Sequence, residues 1–133
     1  MKHLVFLIVL IIFIPACAIF TGKERNAVKV VQDTDATDST EYELVVFDQG
    51  FETWLLMQPS QQHSVEYYKS KNTLYVSEWN YRYHSSARYG GQYESYLDYD
   101  SFIDYGLEFE RRLYYYFKYF EESNGVSLAP GGR

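Results

Sequence analysis

Apolar positions through residues 41–124 recur in two different patterns, and together these predict a small folded domain. Residues 42–47 and 93–99 are rich in β-branched and aromatic side chains, which is typical of strands. Residues 64–83 and 102–122 carry apolar side chains every three or four positions, which predicts helices. The resulting order predicts a single α+β domain in which a short sheet packs against helices.

The apolar stripe of the first long helix is unusual because it contains a polar residue. Its members are spaced by three or four positions and are Val65, Tyr68, Asn72, Tyr75 and Trp79. We expect Trp79 in the core and Asn72 as a polar member of the same buried face. Asp48 to Gly50 is typical of a turn, and residues 51–57 fit either a second strand or a short helix.

The second long helix has candidate signals at both of its ends. Ser101 and Asp104 have the spacing of a capping box, in which a serine and an acid three positions later satisfy the first backbone N–H groups. Asn124 and Gly125 are a typical helix C-terminus. Residues 125–133 are then expected to form a disordered tail.

The N-terminus has the pattern of a lipoprotein signal peptide, predicted to span residues 1–16. Lys2 precedes an apolar segment over residues 4–14, which is the length of a secretory signal. The following Ile14-Pro15-Ala16-Cys17 resembles the bacterial lipobox, whose cysteine thiolate takes a diacylglycerol. We therefore expect lipid attachment at Cys17, including palmitate, and hence the membrane as a partner. An uncleaved anchor helix over residues 4–20 and a simple secreted protein with a spare thiol are the alternatives.

Residues 17–40 are interpreted as the lipidated cysteine followed by a flexible tether. The segment from Thr21 to Thr40 is polar and lacks aromatic residues, so it cannot bury enough surface to offset its ordering entropy. Its aspartates lack the glycine and the closing glutamate of a calcium loop.

Composition narrows the class of protein further. A net charge of −6 argues against binding nucleic acid by phosphate neutralisation, and one cysteine excludes an internal disulfide and a cysteine-based zinc site. Fourteen of the fifteen tyrosines lie between Tyr67 and Tyr119, so the core must be built from aromatic rings whose hydroxyls reach partners or solvent.

Three blocks of this domain carry a resemblance to a known family. They are residues 47–56 (FDQGFETWLL), 71–82 (KNTLYVSEWNYR) and 103–108 (IDYGLE). Over about residues 42–122 the chain resembles a family of uncharacterised envelope lipoproteins common in Bacteroidetes-type bacteria. The resemblance implies a lipid-anchored protein of a Gram-negative envelope, in the outer membrane and facing the periplasm. It implies no activity, ligand or catalytic residue.

The acidic stretch over residues 94–110 holds the main candidates for chemistry, and Asp98, Asp100 and Asp104 lie within it. Paired carboxylates are the machinery of glycoside hydrolysis, and clustered oxygens suit a divalent cation. Helix capping and strand-end positions explain the same acids without chemistry. Glu78 and Arg82, four positions apart, predict an ion pair. Two alternatives are that Arg82 reaches the three aspartates and that Glu78 and Arg82 contact a ligand or cation together with them.

Two function classes follow from these features. The first is a non-catalytic binding or structural module, lipid-anchored in the envelope, that recognises a protein, peptide or glycan through exposed tyrosines. The second is an envelope glycan hydrolase that uses the acidic patch near residues 94–110. The sequence predicts no catalytic residue, metal or cofactor, and the first class is favoured.

Overall fold

The computed structural model describes residues 28–34, 40–58 and 63–129, and these form a small α+β domain, as predicted. Lys2, residues 4–14 and Cys17 lie outside the described residues. In chain order the elements are β1 (Val28–Thr34), β2 (Thr40–Val46), α1 (Gln49–Leu56), α2 (Val65–His84), α3 (Ser86–Tyr89) and α4 (Leu107–Asn124).

The sheet is an antiparallel pair, β1 with β2, in which Val28 lies opposite Val46 and Thr34 opposite Thr40. The tether predicted over residues 17–40 is therefore wrong for residues 28–34. Alternate side chains of a strand share one face, so Val28 is fully buried and Val30 packs on the core. The packing of Val28 and Val30 on the core is the reason that this segment folds.

The core forms where α2 packs against α4, and it is largely aromatic. Trp79 is 0% exposed and Asn72 is also fully buried, so both predictions for the stripe of α2 are confirmed. The ring of Trp79 meets Tyr93, Tyr116 and Phe120 with centroids 4.7–5.8 Å apart. α2 begins after Ser64, whose hydroxyl accepts the N–H of Tyr67, and it runs without a break to His84.

Residues 51–57, for which the sequence allows either a strand or a short helix, belong mainly to α1. Asp48 starts this helix by accepting the N–H of Gly50 at 2.8 Å, so the predicted turn is a helix N-terminus. A Cβ atom at Gly50 would lie 2.6 Å from the hydroxyl of Tyr119 on α4. The glycine thus allows α1 to lie close against α4.

The helix predicted over residues 102–122 begins five residues later than expected, at Leu107. Gly106 has φ +81°, outside the helical region, so the chain cannot continue from a helix started at Ser101. Asp104 accepts the N–H of Gly106 at 3.1 Å within the preceding turn, and the capping box does not form. The other end is as predicted, because Gly125 ends α4 in the left-handed conformation.

The described part of the predicted disordered tail, residues 125–129, is folded. Leu128 is 0% exposed, and its N–H donates to the Glu121 carboxylate at 2.7 Å. The carbonyl of Ser127 accepts a hydrogen bond from Arg82 at 2.7 Å. One buried leucine and two side-chain bonds therefore hold this segment against the domain.

Candidate functional site

The segment over residues 93–105 is not the strand predicted for 93–99, although its side chains alternate as a strand's would. Its odd-numbered residues face the interior and its even-numbered residues are exposed. Its backbone is bonded by side chains of α2. The Trp79 indole N–H donates to the Ser95 carbonyl at 2.7 Å, and Asn80 bonds both the N–H and the carbonyl of Leu97 at 2.9 Å. The predicted alternation of inward and outward side chains is present, but no strand among the described residues forms a ladder with this segment.

An aromatic ridge formed by Tyr42 and Tyr105 stands where this segment passes the sheet. The two rings meet edge to face, with centroids 4.7 Å apart. Tyr105 is in turn stacked between Tyr99 and Phe109, at 5.2 and 4.6 Å. Strand β2 supplies one side of the ridge, and the chain before α4 supplies the other. Both rings pack against the core, and Tyr105 is only 8% exposed.

Two grooves flank this ridge, and both tyrosines line both of them. The larger groove, about 800 Å³, lies between β2 and the start of α4 and is edged by Glu43, Asp104 and Glu108. The smaller groove, about 250 Å³, lies between β1 and the segment 93–105. Asp98 and Asp100 line the smaller groove. The structure thus divides the three predicted aspartates between two neighbouring grooves.

The aspartates make local contacts only. Asp100 accepts the N–H of Phe102 at 2.8 Å in a turn, and Asp104 accepts that of Gly106. Asp98 is exposed. Within the described ranges, no group of three or more histidine, cysteine, aspartate or glutamate side chains is placed to hold a metal ion.

Glu78 and Arg82 form the predicted ion pair at 2.6 Å, away from both grooves. The alternative in which Arg82 reaches the three aspartates is wrong. Arg82 instead donates to the hydroxyl of Tyr93 at 2.8 Å and to the carbonyl of Ser127. Burial acts to lower the pKa of Arg82, but its interactions with Tyr93 and Glu78 outweigh that effect, so the pKa is raised. The pair therefore has a structural role, joining α2 to the segments before and after α4.

Basic side chains near the larger groove are paired with other acids. Arg112, which lines it, forms an ion pair with Glu52 of α1, and this hydrogen bond lowers the pKa of Glu52. Arg111 pairs with Glu108 at 3.0 Å. Asp98, Asp100 and Asp104 have no such partner among the described residues, so both grooves present uncompensated negative charge.

Comparison with known proteins gives one match. The model of a family described as "Family of unknown function (DUF6146)" matches residues 5–130. The chain belongs to this family. No curated protein and no solved structure matches the chain significantly.

The part of the chain that matches the DUF6146 family includes most of the apolar N-terminal segment and Cys17 as well as the domain. Within the ranges that the structure describes, every helix is too short or too polar to span a bilayer.

The sequence placed Glu110 of this DUF6146 domain in the acidic stretch over residues 94–110, but its burial was not predicted. It is 1% exposed, and its carboxylate accepts from Asn72 at 2.7 Å and from the hydroxyl of Tyr99 at 3.1 Å. Burial raises the pKa of Glu110 above its ordinary value, although both hydrogen bonds oppose the shift. The spacing along the helix could have predicted the burial of Glu110. It lies three and seven positions before the buried Leu113 and Phe117, and therefore on the same face of α4.

Proposed function

We propose that this chain is a lipid-anchored, non-catalytic binding module of the bacterial cell envelope. Its contact surface is formed by the two acid-lined grooves, which the packed aromatic ridge of Tyr42 and Tyr105 separates. The observation that carries the proposal is the pair of grooves, which combine aromatic walls with three aspartates (Asp98, Asp100 and Asp104) that have no ion-pair partner among the described residues. Aromatic side chains beside polar groups are typical of recognition surfaces.

The sequence supports a lipid anchor at Cys17. Cys17 is the only cysteine and follows the apolar segment at the position where a lipobox requires it. Two or three acyl chains hold a protein in a bilayer far more firmly than one, since each buried methylene contributes about 0.8 kcal/mol. Because β1 begins at Val28, residues 18–27 alone separate Cys17 from the domain. An extended chain spans at most about 3.6 Å per residue, so this short segment would keep the grooves near the membrane surface. We place the protein at the periplasmic face of the outer membrane.

Glu110 argues against the hydrolase alternative. A general acid must come within hydrogen-bond reach of its substrate. Glu110 has the raised pKa expected of such an acid, but it is buried beneath the surface and lines neither groove. Its contacts with Asn72 and Tyr99 instead join α4 to α2 and to the segment 93–105.

The anchoring part is tested by metabolic labelling with palmitate in the protein's own host. Wild type should be labelled and should fractionate with membranes, whereas Cys17→Ser should do neither. The neighbouring change Ala18→Ser is the matched control and should behave as wild type. Label-free Cys17→Ser that stays in membranes would favour the uncleaved anchor helix, and unlabelled wild type would contradict lipidation.

The binding part is tested by site-specific photo-crosslinking in intact cells. A benzophenone side chain at Glu43 or Asp98, one at each groove, should capture the same discrete partner. The same group at Ser77, exposed on α2, should not. Equal capture at all three positions would contradict the proposed surface. Release of soluble fragments from purified peptidoglycan by wild type, but not by Asp98→Asn with Asp100→Asn, would support the hydrolase instead.

A further inference from the structure

Beyond its first residue, the outer edge of β1 has no hydrogen-bond partner in the part of the chain that the structure describes. The N–H of Val28 donates to the hydroxyl of Ser95, and that hydroxyl donates to the carbonyl of Val28 at 2.8 Å. The backbone groups of Val28 therefore point away from β2. In an antiparallel pair this direction alternates, so the backbone groups of Val30 and Gln32 point outward as well. Among the described residues, nothing bonds to those outward groups.

The smaller groove lies against β1, and Tyr42 of β2 also lines it. Val30 and Gln32 line one side of it, and Asp98 and Asp100 line the other. Tyr99, between the two aspartates, turns inward to Glu110, so the aspartates project the opposite way. The segment 93–105 thus contacts β1 at Val28 and then diverges from it, leaving the groove between them.

The charge of this groove selects one kind of occupant. The residues that line it include two carboxylates and no basic side chain. An acidic occupant would meet like charge at close range, whereas a basic one would be attracted. Asp98 and Asp100 are two positions apart, and the repeat of an extended chain over two residues is about 6.8 Å. Lysine or arginine side chains two positions apart on an extended peptide have the same repeat.

We propose that this groove binds an extended, basic segment of another envelope protein, which adds to the edge of β1 as a third strand. Backbone hydrogen bonds to Val30 and Gln32 hold the segment, and Asp98 and Asp100 select its basic side chains. Addition of a strand to an exposed edge is a general mode of peptide recognition. This inference rests on the proposed binding function and names its partner class.

The probe is a fluorescent octapeptide in which lysine and valine alternate, added to the full-length lipidated protein in detergent. Binding is followed by fluorescence anisotropy, with the glutamate–valine octapeptide as the charge control. The lysine peptide should bind at least about tenfold more tightly than the glutamate peptide, and less tightly as salt is raised. Methylating the backbone nitrogens of one alternating set should abolish binding, and methylating the other set should not, because one set faces β1.

Two pairs of variants separate strand addition from general attraction to an acidic protein. Gln32→Pro removes an outward N–H without breaking the ladder to β2, and should weaken binding about tenfold, whereas Gln32→Val keeps the N–H and should not. Asp98→Asn with Asp100→Asn should weaken binding about tenfold and reduce its salt dependence. Asp104→Asn, in the larger groove, should leave binding unchanged. Thermal unfolding of each variant confirms that it is folded.

Several outcomes would overturn the inference. Equal binding of both peptides, no effect of Gln32→Pro in a folded protein, or equal effects of the two methylation patterns would each exclude strand addition. If neither peptide binds while crosslinking at Glu43 and Asp98 still captures one partner, the strand-addition inference fails and the proposed binding function stands. If crosslinking does not depend on position, both the strand-addition inference and the proposed binding function fail.

Discussion

The two faces of the segment 93–105 have the same alternating pattern but opposite physical roles. Tyr93, Leu97 and Tyr105 on its inner face are buried. The outer face is exposed throughout, over Glu94, Tyr96, Asp98, Asp100, Phe102 and Asp104. The inner residues are fixed by packing and by hydrogen bonds to α2. Of the outer residues, Tyr96 packs against Tyr83 and His84 of α2. Asp100 and Asp104 accept hydrogen bonds only within their own turns, as far as the structure describes the chain. The exposed carboxylates of the outer face are therefore available to meet another molecule.

This difference shows what an alternation of apolar and polar residues indicates. It indicates that a segment lies between the core and solvent, and it does not require a neighbouring strand. Backbone groups at such a position need hydrogen-bond partners, and here Trp79 and Asn80 of α2 provide them. The inner face therefore determines stability, and the outer face is available for function.

The largest expected effect comes from removing the main support of the inner face. Trp79→Ala should reduce the free energy of unfolding by about 3–5 kcal/mol, because a fully buried indole is lost along with its bond to Ser95. Chemical denaturation of wild type and variant measures this. Tyr81→Ala, half-exposed on the same helix, is the control and should cost far less. A loss below about 1 kcal/mol for Trp79→Ala would place the inner face outside the core.

A smaller effect is expected at the second support. Asn80→Ala should cost about 1–3 kcal/mol, because the N–H and the carbonyl of Leu97 both lose their partner. Hydrogen exchange should show faster exchange of the Leu97 amide, with little change in the middle of α4. Unchanged protection at Leu97 would mean that packing alone holds the segment, and would weaken the contrast between its faces.

Glu110, which bonds the inner-face residue Tyr99, should give the domain a distinctive pH response. Its pKa is raised above 4.5, so the folded protein keeps this proton at pH values where the unfolded chain has released it. Its contribution to the free energy of unfolding therefore falls as the pH rises from 4.5 through the raised pKa. Glu110→Gln removes this response while changing stability near neutral pH by about 1 kcal/mol or less.

The measurement is denaturant unfolding of wild type and Glu110→Gln at a series of pH values from 4 to 8. The difference in stability, wild type minus variant, should decrease with pH across that window. Glu108→Gln, at an exposed position on the same helix, should run parallel to wild type there. Parallel curves for Glu110→Gln would show that Glu110 ionises as freely as a surface acid.

The smallest effect is expected on the outer face. Asp98→Asn with Asp100→Asn should change stability by about 0.5 kcal/mol or less, because both are exposed and asparagine can keep the turn at Phe102. Millimolar calcium should not raise the melting temperature of wild type, since the described residues offer no cluster of ligands. A calcium-dependent rise in melting temperature that the double variant lacks would show that the outer face is a metal site.

Helical periodicity predicted the buried face of α2 correctly. The steps of three and four from Val65 to Trp79 fixed the buried face of α2, including the polar Asn72, because that face depends only on residues close in the chain. The start of α4 was misplaced because one glycine, Gly106, overrides a capping pattern just before it.

By itself, the sequence determined the fold class, the aromatic character of the core, the faces of α2 and the pair of Glu78 with Arg82. Each of these follows from residues within about one helical turn or from composition. Tertiary structure alone decided that β1 is a strand, that Leu128 is buried, and that Asp98 and Asp100 line a groove with Val30 and Gln32. These features depend on contacts between residues far apart, such as Val28 with Ser95, whose energy no local pattern records.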